Sequence, residues 1–469
     1  MGLPKRYQLG YLHHLSIQAK YPPNERIHSL DVLAKTTPSQ YKIIDYRNFK
    51  MHVWMSLVGM AFLLGIAYLL SENRKAIRLR TVGLAFAIQF GIGVLVLFSD
   101  AGKTILGDMA QGVEVVINAA QDGMIFLFGG LAGPAAFKSG LGFIFAFRVL
   151  PLIIFFSSLI TVLYYLGIMQ WVIRIIGGFL QKCLGTSRTE SLSATANIFM
   201  GQTEAPLVVR PFIAKMTRSE LFAVMVGGLA SVAGSTLAGY AGLGVKLEYL
   251  IAASFMAAPG GLLMAKMIVP ETQKHNDDIE GTLAQEEKHV NVIDAAASGA
   301  SSGLSLALNV GAMLLAFIGL VALLNMIVGG VGGWFGITHL TIQEILGWIF
   351  SPVAYLIGVP WHEAVVAGSF IGEKIVLNEF VAYIDLVPYI HGDKLIGATK
   401  MIMSEHTQAI ITFALCGFAN ISSVAILLGG LGGMAPSRRH EMAELGVKAI
   451  IAGTLSNLMS ATIAGLFIH

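Results

Sequence analysis

The chain has 469 residues, of which 55% are hydrophobic and 13% are charged, about half the charged share of an ordinary soluble protein. This composition excludes a soluble enzyme with a charged surface and predicts a protein that lies largely in the lipid bilayer. The two cysteines, Cys183 and Cys416, are too few for a disulfide scaffold, an iron–sulfur centre or a zinc knuckle. The net charge of +3 comes from residues 1–50, with 8 Lys+Arg against 3 Asp+Glu, so nothing in the body indicates nucleic acid as a partner.

Residues 1–50 are polar, contain four prolines and have no sustained apolar periodicity. They also lack the apolar core and cleavage site of a signal peptide. We expect them to be either a disordered extension or a stretch that precedes the true start at Met51.

The rest of the chain contains eight segments that are long and apolar enough to cross a bilayer, at about 20 residues per crossing. They are residues 53–70, 82–98, 143–166, 220–242, 247–269, 304–328, 408–430 and 446–468. Lys and Arg follow the first, third and seventh segments, which predicts that the odd-numbered loops are cytoplasmic. Three other stretches, 105–127, 168–184 and 277–297, look amphipathic and are expected along the membrane interface.

Two stretches have membrane-like composition but carry charges and helix breakers, and we name them the first hairpin segment (residues 189–215) and the second hairpin segment (residues 361–383). Each is followed by a span that small polar residues interrupt, at 228–235 and at 417–423. The order of hairpin, broken helix and plain helix therefore occurs twice, with opposite orientations in the membrane. Inverted repeats with broken helices are typical of secondary transporters, which bind their cargo where the breaks meet.

Glu204 and Glu379 lie in this apolar part of the chain, where a carboxylate is costly and is a functional candidate. The alternative is a structural ion pair of each, with Arg210 and Lys374 respectively. The surrounding polar residues are neutral donors and acceptors: Gln202, Thr203, Asn420, Ser422 and Ser423. Such groups suit a neutral, hydroxyl-rich solute, whereas a phosphate would call for arginine, so nucleotides are disfavoured.

Asn197 and Ser231 are short oxygen-bearing side chains, on the first hairpin segment and at the break in the fourth span. Unwound turns there would free the carbonyls of Met200 and Val232, which gives the oxygen environment that Na⁺ prefers. The alternative is that Ser231 bonds within its own helix and that Asn197 caps a half-helix. A GxSxG match at Gly299–Gly303 has no strand-turn-helix context and does not indicate a nucleophile.

Four motifs now identify a resemblance. They are Gly201-Gln-Thr-Glu-Ala-Pro-Leu207, Met216-Thr-Arg-Ser-Glu-Leu221, Gly372-Glu-Lys-Ile-Val-Leu-Asn-Glu-Phe-Val-Ala-Tyr383 and Gly417-Phe-Ala-Asn420. From Met51 to the C-terminus the chain resembles the concentrative nucleoside transporter family. The third motif is highly specific.

The resemblance implies an all-α polytopic membrane protein with eight transmembrane helices, two re-entrant helical hairpins and inverted repeats. Scaffold and transport domains would be assembled as a homotrimer, with transport by an elevator mechanism. The expected parts are the extension (1–50), the first two membrane helices with an interfacial helix (51–142), the first repeat (143–275), an interfacial helix with the central scaffold helix (276–340) and the second repeat (341–469).

The resemblance also implies a binding site. Substrate would be bound by Gln202, Thr203, Glu204, Thr236, Glu379, Phe418, Asn420 and Ser423, and sodium by Asn197, Met200, Ser231 and Val232. We therefore predict a sodium-coupled symporter, not an enzyme, that imports nucleosides such as uridine, cytidine and adenosine across the bacterial inner membrane.

Three alternatives remain at this stage. Some family members use protons, and Glu204 or Glu379 would then titrate. A membrane-embedded hydrolase would need a nucleophile, base and orienting group, which the hairpin segments lack. A passive channel would not need two paired hairpins.

Overall fold

The computed structural model of the chain describes residues 38–132, 144–273, 289–337, 340–396 and 401–468. By their internal contacts the residues fall into two units, Met1–Trp54 and Met55–His469. Both hairpin segments and all the candidate site residues lie in the second unit.

Within the described ranges the protein is helical, with one isolated bridge between Ile396 and Met401 and no strand. The helices are α1 (Pro38–Leu69), α2 (Leu79–Gly93, continued by a π-turn over Val94–Phe98), α3 (Asp100–Phe128), α4 (Phe145–Arg148), α5 (Leu150–Tyr165), α6 (Ile168–Leu184), α7 (Arg188–Ala196), α8 (Arg210–Ile213), α9 (Arg218–Ala230), α10 (Gly234–Gly242), α11 (Leu247–Ile268), α12 (Val292–Trp334), α13 (Ile342–Leu356), α14 (Trp361–Val376), α15 (Glu379–Ile390), α16 (Glu405–Leu415), α17 (Ile421–Met434) and α18 (Arg439–Phe467). The all-α fold class is confirmed for these ranges.

Three of the helices begin with a capping box, in which a Ser or Thr and a Glu three residues later each bond the other's backbone N–H. They are α7, α9 and α13, with the pairs Ser187 and Glu190, Thr217 and Glu220, and Thr341 and Glu344. Each cap fixes where a helix starts after a turn. The three glutamates therefore have a structural role at helix N-termini, where a negative charge is also favoured by the helix dipole.

The helices form an inner and an outer group. In the most apolar stretches of the inner helices α9–α10 and α11, 94% of the residues are buried, whereas in the 43-residue helix α12 the value is 11%. Because α12 is apolar on most of its surface and exposed, it requires apolar surroundings such as lipid or another chain. The protein is accordingly a multi-pass membrane protein built around an inner group of buried helices.

Six helices of the described chain are long and apolar enough to cross a bilayer, and a seventh follows if α13 and α14, bent by 116°, form one span. Every segment that the sequence predicted as a span lies mainly in helix, but α1 from Trp54 onwards and α17 are short for a crossing. The count of eight spans therefore stays a prediction.

The predicted breaks are present. The fourth span breaks between α9 and α10, at residues 231–233, and the seventh breaks between α16 and α17, at residues 416–420. Each hairpin segment contains two helical pieces separated by a turn, α7 and α8 in the first and α14 and α15 in the second. Whether these pieces re-enter the membrane from one side stays a prediction.

One expectation was wrong in detail. The predicted interfacial segment 277–297 and the span 304–328 were treated as separate, but α12 runs unbroken from Val292 to Trp334, because the polar stretch before residue 304 holds only one charged residue, Asp294, and is rich in helix-compatible Ala and Ser. Residues 277–288 lie outside the described part. Residues 38–50 belong to α1, and the assignment of residues 1–50 to a disordered extension or to a stretch before the true start stays a prediction.

Candidate functional site

The two broken helices meet at their breaks. The backbone N–H of Phe418 donates to the carbonyl of Ser231 at 3.1 Å. Asn457 of α18 lies at the same place and donates through Nδ2 to the carbonyls of Ala230, at 2.6 Å, and Cys416, at 2.9 Å. The last carbonyls of a helix have no partner within the helix, and inside a membrane no water replaces it. Asn457 therefore satisfies both helix ends with one side chain.

Lys374 also binds at the point where the two broken helices meet, which we call the crossing. Its side chain is 1% exposed, and its ammonium donates to Asn457 Oδ1 and to the carbonyl of Ala414, both at 2.7 Å. Gly417 is required beside it, because a Cβ there would lie 2.2 Å from Asn457 Oδ1. No ion pair joins Lys374 to Glu379 in the described part of the chain, so the alternative of a structural ion pair for Glu379 is not found.

Glu379 is positioned by the start of α15. The side chain of Asn378 caps this helix by accepting from the N–H of Val381, which places Glu379 in the first turn with its carboxylate buried. Oε1 accepts from the hydroxyl of Tyr240 at 3.1 Å, and Oε2 accepts from Nδ2 of Asn420 at 2.9 Å. The carboxylate is thus held by one group from each broken helix.

Asn420 is fixed on both sides of its amide. While Nδ2 donates to Glu379, Oδ1 accepts from the N–H of Ser423 and from the hydroxyl of Ser422, both at 2.8 Å. The contact with the N–H of Ser423 caps α17. The structure therefore brings together three predicted substrate ligands, Glu379, Asn420 and Ser423, in one buried cluster.

Aromatic residues pack behind the cluster. The ring centroids of Tyr240 and Tyr383 are 4.4 Å apart, and the hydroxyl of Tyr383 donates to the carbonyl of Thr412 at 2.8 Å. Thr236 is buried one turn before Tyr240 on α10, hence on the same face of that helix. Phe418 lies in the break itself, where it is half-buried.

The turn of the first hairpin segment packs close by. Gly201 donates to the carboxylate of Glu204 at 3.3 Å. Gln202 packs on α9, where a Cβ at Gly228 would lie 2.9 Å from its side chain, and Thr203 packs in the same way on Gly430 of α17. No hydrogen bond joins this turn to Glu379 or Asn420 in the described chain, so the predicted two-sided site is only partly brought together.

Two further points concern this turn. The amide oxygen of Gln202 is buried and accepts no hydrogen bond from the described residues. Glu204 forms no ion pair with Arg210 within those residues, so the structural alternative for Glu204 is not found either. The carboxylate of Glu204 accepts from the N–H of Gly201, and its role as a ligand stays a prediction, as does that of Gln202.

The predicted cation ligands lie where this turn runs beside the break in α9. The N–H of Gly234 donates to the carbonyl of Phe199 at 3.0 Å, which joins the two segments. Asn197 packs on Gly227, and its Nδ2 donates to the carbonyl of Ser193 at 2.9 Å, while its buried Oδ1 has no donor among the described residues. The free oxygen is the kind of ligand that a hard cation takes.

The other three predicted cation ligands are compatible with this arrangement. The hydroxyl of Ser231 donates to the carbonyl of Gly227 at 2.8 Å, as the structural alternative expected, but its lone pairs remain available. Met200 and Val232 lie outside helices, and their carbonyls accept no hydrogen bond in the described part of the chain. The four predicted oxygen ligands, from Asn197, Met200, Ser231 and Val232, thus accept no hydrogen bond from the described residues.

The structure also contains a cavity of about 200 Å³ that is lined by residues such as Glu72, Arg218 and Gln273. None of the predicted ligands borders it. This cavity is therefore separate from the candidate site.

Comparisons with known proteins match nearly the whole second unit. Residues 58–131 and 249–465 match the models described as the N-terminus and C-terminus of Na⁺-dependent nucleoside transporters, and residues 146–247 match a model described as nucleoside recognition. The chain is 61% identical to an uncharacterized transporter of Haemophilus influenzae and 55% identical to the nucleoside permease NupC of Helicobacter pylori. The alignments cover 89% and 88% of this chain and 98% and 97% of those proteins.

This chain belongs to the concentrative nucleoside transporter family. The human solute carrier family 28 member 3 is 37% identical over 88% of this chain, which corresponds to 59% of that protein. Among solved structures, CNTnw in an inward-facing, substrate-bound state is 60% identical with a TM-score of 0.83, covering 89% of this chain and 98% of the other. A CNTnw variant in an outward-facing state has a TM-score of 0.86, covering 89% of this chain and 99% of the other.

The family settles two of the sequence-based predictions. The resemblance is confirmed, and the protein is a nucleoside transporter of a Na⁺-dependent family and not an enzyme. The hydrolase alternative is therefore excluded.

Sequence reasoning did not foresee three polar residues of this transporter. Tyr240 binds Glu379, Lys374 was considered only as an ion-pair partner, and Asn457 was not considered at all. A signal existed for Asn457, because an asparagine in the middle of an apolar span is costly and usually has a partner in the bundle.

Proposed function

We propose that this protein imports nucleosides such as uridine, cytidine and adenosine across the bacterial inner membrane by sodium symport. The observation that carries the proposal is the cluster at the crossing of the broken helices, where Glu379, Asn420 and Tyr240 offer a carboxylate, an amide and a hydroxyl. Such groups bind sugar hydroxyls and base edges. The buried cluster contains no arginine for a phosphate, which supports nucleosides over nucleotides.

In this proposal Glu379, Asn420 and Ser423 bind the ribose hydroxyls. Glu379 and Asn420 now bind each other, and an incoming hydroxyl pair would replace that contact by donating to the carboxylate and accepting from the amide. Gln202, Thr203 and Glu204 bind on the base and ribose side, and the free amide oxygen of Gln202 supports this role. Thr236 and Phe418 line the pocket.

Sodium would be bound by the side chains of Asn197 and Ser231 and by the carbonyls of Met200 and Val232. The support is the buried Asn197 oxygen and the two carbonyls that lack donors. Ser231 also accepts from the N–H of Phe418 through its carbonyl. An ion bound to Ser231 would therefore also stabilise the break at residues 416–420, which contains Phe418 and Asn420. This contact gives a physical basis for coupling.

Coupling of this kind is reciprocal, since the factor by which sodium raises nucleoside affinity is the factor by which the nucleoside raises sodium affinity. Titrating uridine at several sodium concentrations, and sodium at several uridine concentrations, measures both factors. Unequal factors at equilibrium would contradict a single coupled pair of sites.

We also propose eight spans, two re-entrant hairpins, a homotrimer and elevator-type movement. Solved structures of CNTnw in inward-facing, outward-facing and intermediate states are similar to this chain over 88–89% of its length, which supports a moving part. The exposed apolar surface of α12 would face partner copies as well as lipid. Native mass spectrometry from detergent tests the trimer.

The deciding experiment is uptake of uridine and adenosine into proteoliposomes under an imposed sodium gradient, with an equal proton gradient as the control. Accumulation driven by sodium alone is expected. Accumulation driven by protons alone would transfer coupling to a carboxylate such as Glu204 or Glu379, and equilibration without accumulation would indicate a passive channel.

A further inference from the structure

A second pair of acidic residues lies away from the proposed substrate and sodium ligands. Glu373, on α14, is 1% exposed, and neither oxygen of its carboxylate accepts a hydrogen bond from a described donor. The group it faces is the carboxyl of Asp385, on α15. Because the two helices are joined by the short turn at residues 377–378, this contact lies between α14 and α15, the two helices that contain the second hairpin segment.

The pair has both apolar and polar neighbours. On the side of α13, Leu346 and Phe350 pack so closely that a Cβ at Gly372 would lie within 3 Å of both. The charged group that acts on both acids is the ammonium of Lys394, which interacts over a distance and forms no ion pair with either among the described residues. On α15 and α13, Tyr389 and Gln343 also face the pair, the first interacting with both acids and the second with Asp385.

Two ionised carboxylates have only acceptor atoms and repel each other. Because Glu373 is almost fully buried, the two cannot both be charged at low cost, and sharing one proton turns the repulsion into a hydrogen bond. A metal ion fits less well, because Na⁺ or a divalent ion needs several further oxygen ligands. Among the groups that face the pair, Lys394 is a cation and the amide oxygen of Gln343 already accepts from Asn325. The missing partner of Glu373 is thus a proton.

We propose that Glu373 and Asp385 share one bound proton, which joins α14 to α15 and holds the second hairpin segment closed. When the proton leaves, two carboxylates face each other and push the two helices apart. Since α15 begins at Glu379, the movement displaces that carboxylate from Tyr240 and Asn420. Nucleoside affinity then falls as the pH rises, and this last consequence rests on the proposed function of Glu379.

The test uses the full chain in detergent, without sodium or nucleoside, and follows the unfolding temperature from about pH 5 to about pH 9. The native state binds a proton that the unfolded chain has lost, so stability falls as the pH rises above the ordinary carboxyl range. In Glu373→Gln the new amide donates to Asp385 permanently. In this variant the unfolding temperature should lose the part of its pH dependence that comes from Glu373 and Asp385. At the highest pH tested, the variant should unfold at a higher temperature than wild type.

Asp385→Asn should behave in the same way, whereas Asp108→Asn, which changes an exposed carboxylate on α3, should keep the wild-type profile. Infrared spectra give an independent readout. A protonated carboxyl band at neutral pH is expected in wild type and should be absent from Glu373→Gln and from Asp385→Asn.

Three results would overturn the proposal. One is a wild-type pH profile in both variants, and another is the persistence of the infrared band in both. The third is recovery of alkaline stability on adding sodium chloride in wild type but not in Glu373→Gln, which would indicate a metal ion. None of these readouts needs transport, so failure of the proton site and failure of the nucleoside assignment are distinguishable. A uridine affinity independent of pH, with the proton site present, would refute only the link to Glu379.

Discussion

Replacement of Asn457 by alanine tests whether the crossing of the two broken helices depends on one side chain. The native amide donates to the carbonyls of Ala230 and Cys416 and accepts from the ammonium of Lys374. Alanine removes all three hydrogen bonds, and its smaller side chain leaves a space in a site that is almost fully buried.

The magnitude follows from these contacts. Hydrogen bonds between helices in membranes contribute roughly 0.6 kcal/mol each on average, so three amount to roughly 2 kcal/mol. A hydrogen bond to a charged group is stronger, about 1.5–3 kcal/mol, and here Lys374 keeps a single partner, the carbonyl of Ala414. We therefore expect Asn457→Ala to lower the free energy of unfolding by about 3–4 kcal/mol.

The assay is equilibrium unfolding in mixed micelles, in which a denaturing detergent is titrated against a mild one. Thr462→Val is the matched control on the same helix, because the hydroxyl of Thr462 donates only to the carbonyl of Leu458 within α18. The control should lose less than about 1 kcal/mol. If Asn457→Ala lost no more stability than this control, the two helix ends would not depend on Asn457 and the account of the crossing would be refuted.

Three further predictions concern binding and pH. Glu379→Gln should weaken nucleoside binding about 10- to 100-fold, because an amide replaces a charged acceptor worth about 1.5–3 kcal/mol, as measured by calorimetry with uridine. Asn197→Ala should abolish the sodium dependence of that affinity, since it removes the free oxygen. Hydrogen bonding to Arg218 lowers the pKa of Glu72, so Glu72→Gln should lower neutral-pH stability by at most about 1 kcal/mol, a difference that shrinks below the ordinary carboxyl range and disappears once the pH has fallen through the lowered pKa of Glu72.

Each of these has a contradicting result. Wild-type uridine affinity in a folded Glu379→Gln protein would remove Glu379 from the substrate site. Unchanged sodium dependence in Asn197→Ala would disprove the cation assignment. If the loss in Glu72→Gln persisted at acid pH, it would come from packing and not from the charge of Glu72.

The sequence predicted the positions of the breaks because their residues are unusual in an apolar chain. Small polar residues at 228–235 and 417–423 predicted the interruptions found at 231–233 and 416–420. Glu379 and Asn420 could be paired as ligands of one site because both follow such irregularities. Their direct contact, with Asn420 donating to Glu379, depends on how the starts of α15 and α17 are placed in space, which spacing along the chain does not contain.

The partners of the crossing could not be predicted in the same way. Lys374 is five residues before Glu379, a spacing that favoured a local ion pair. The turn at residues 377–378 separates them, and Lys374 extends to Asn457, 83 residues away. Long-range contacts of this kind depend on which helices pack side by side, and hydropathy reports only that each helix is buried or faces lipid.

The polar groups of the inner helices form two classes, and the distinction bears on function. Lys374, Tyr383 and Asn457 each have protein partners within about 3 Å, as burial in a membrane requires. Asn197, Gln202 and Glu373 instead keep acceptor oxygens for which the described chain supplies no donor. All three belong to the hairpin segments, and an unpaired buried acceptor is costly. Outside those segments, the amide oxygens of Gln89 and Gln170 also lack a donor among the described residues. In our proposals the partners of these three oxygens are a sodium ion at Asn197, a nucleoside at Gln202 and, at Glu373, a proton shared with Asp385.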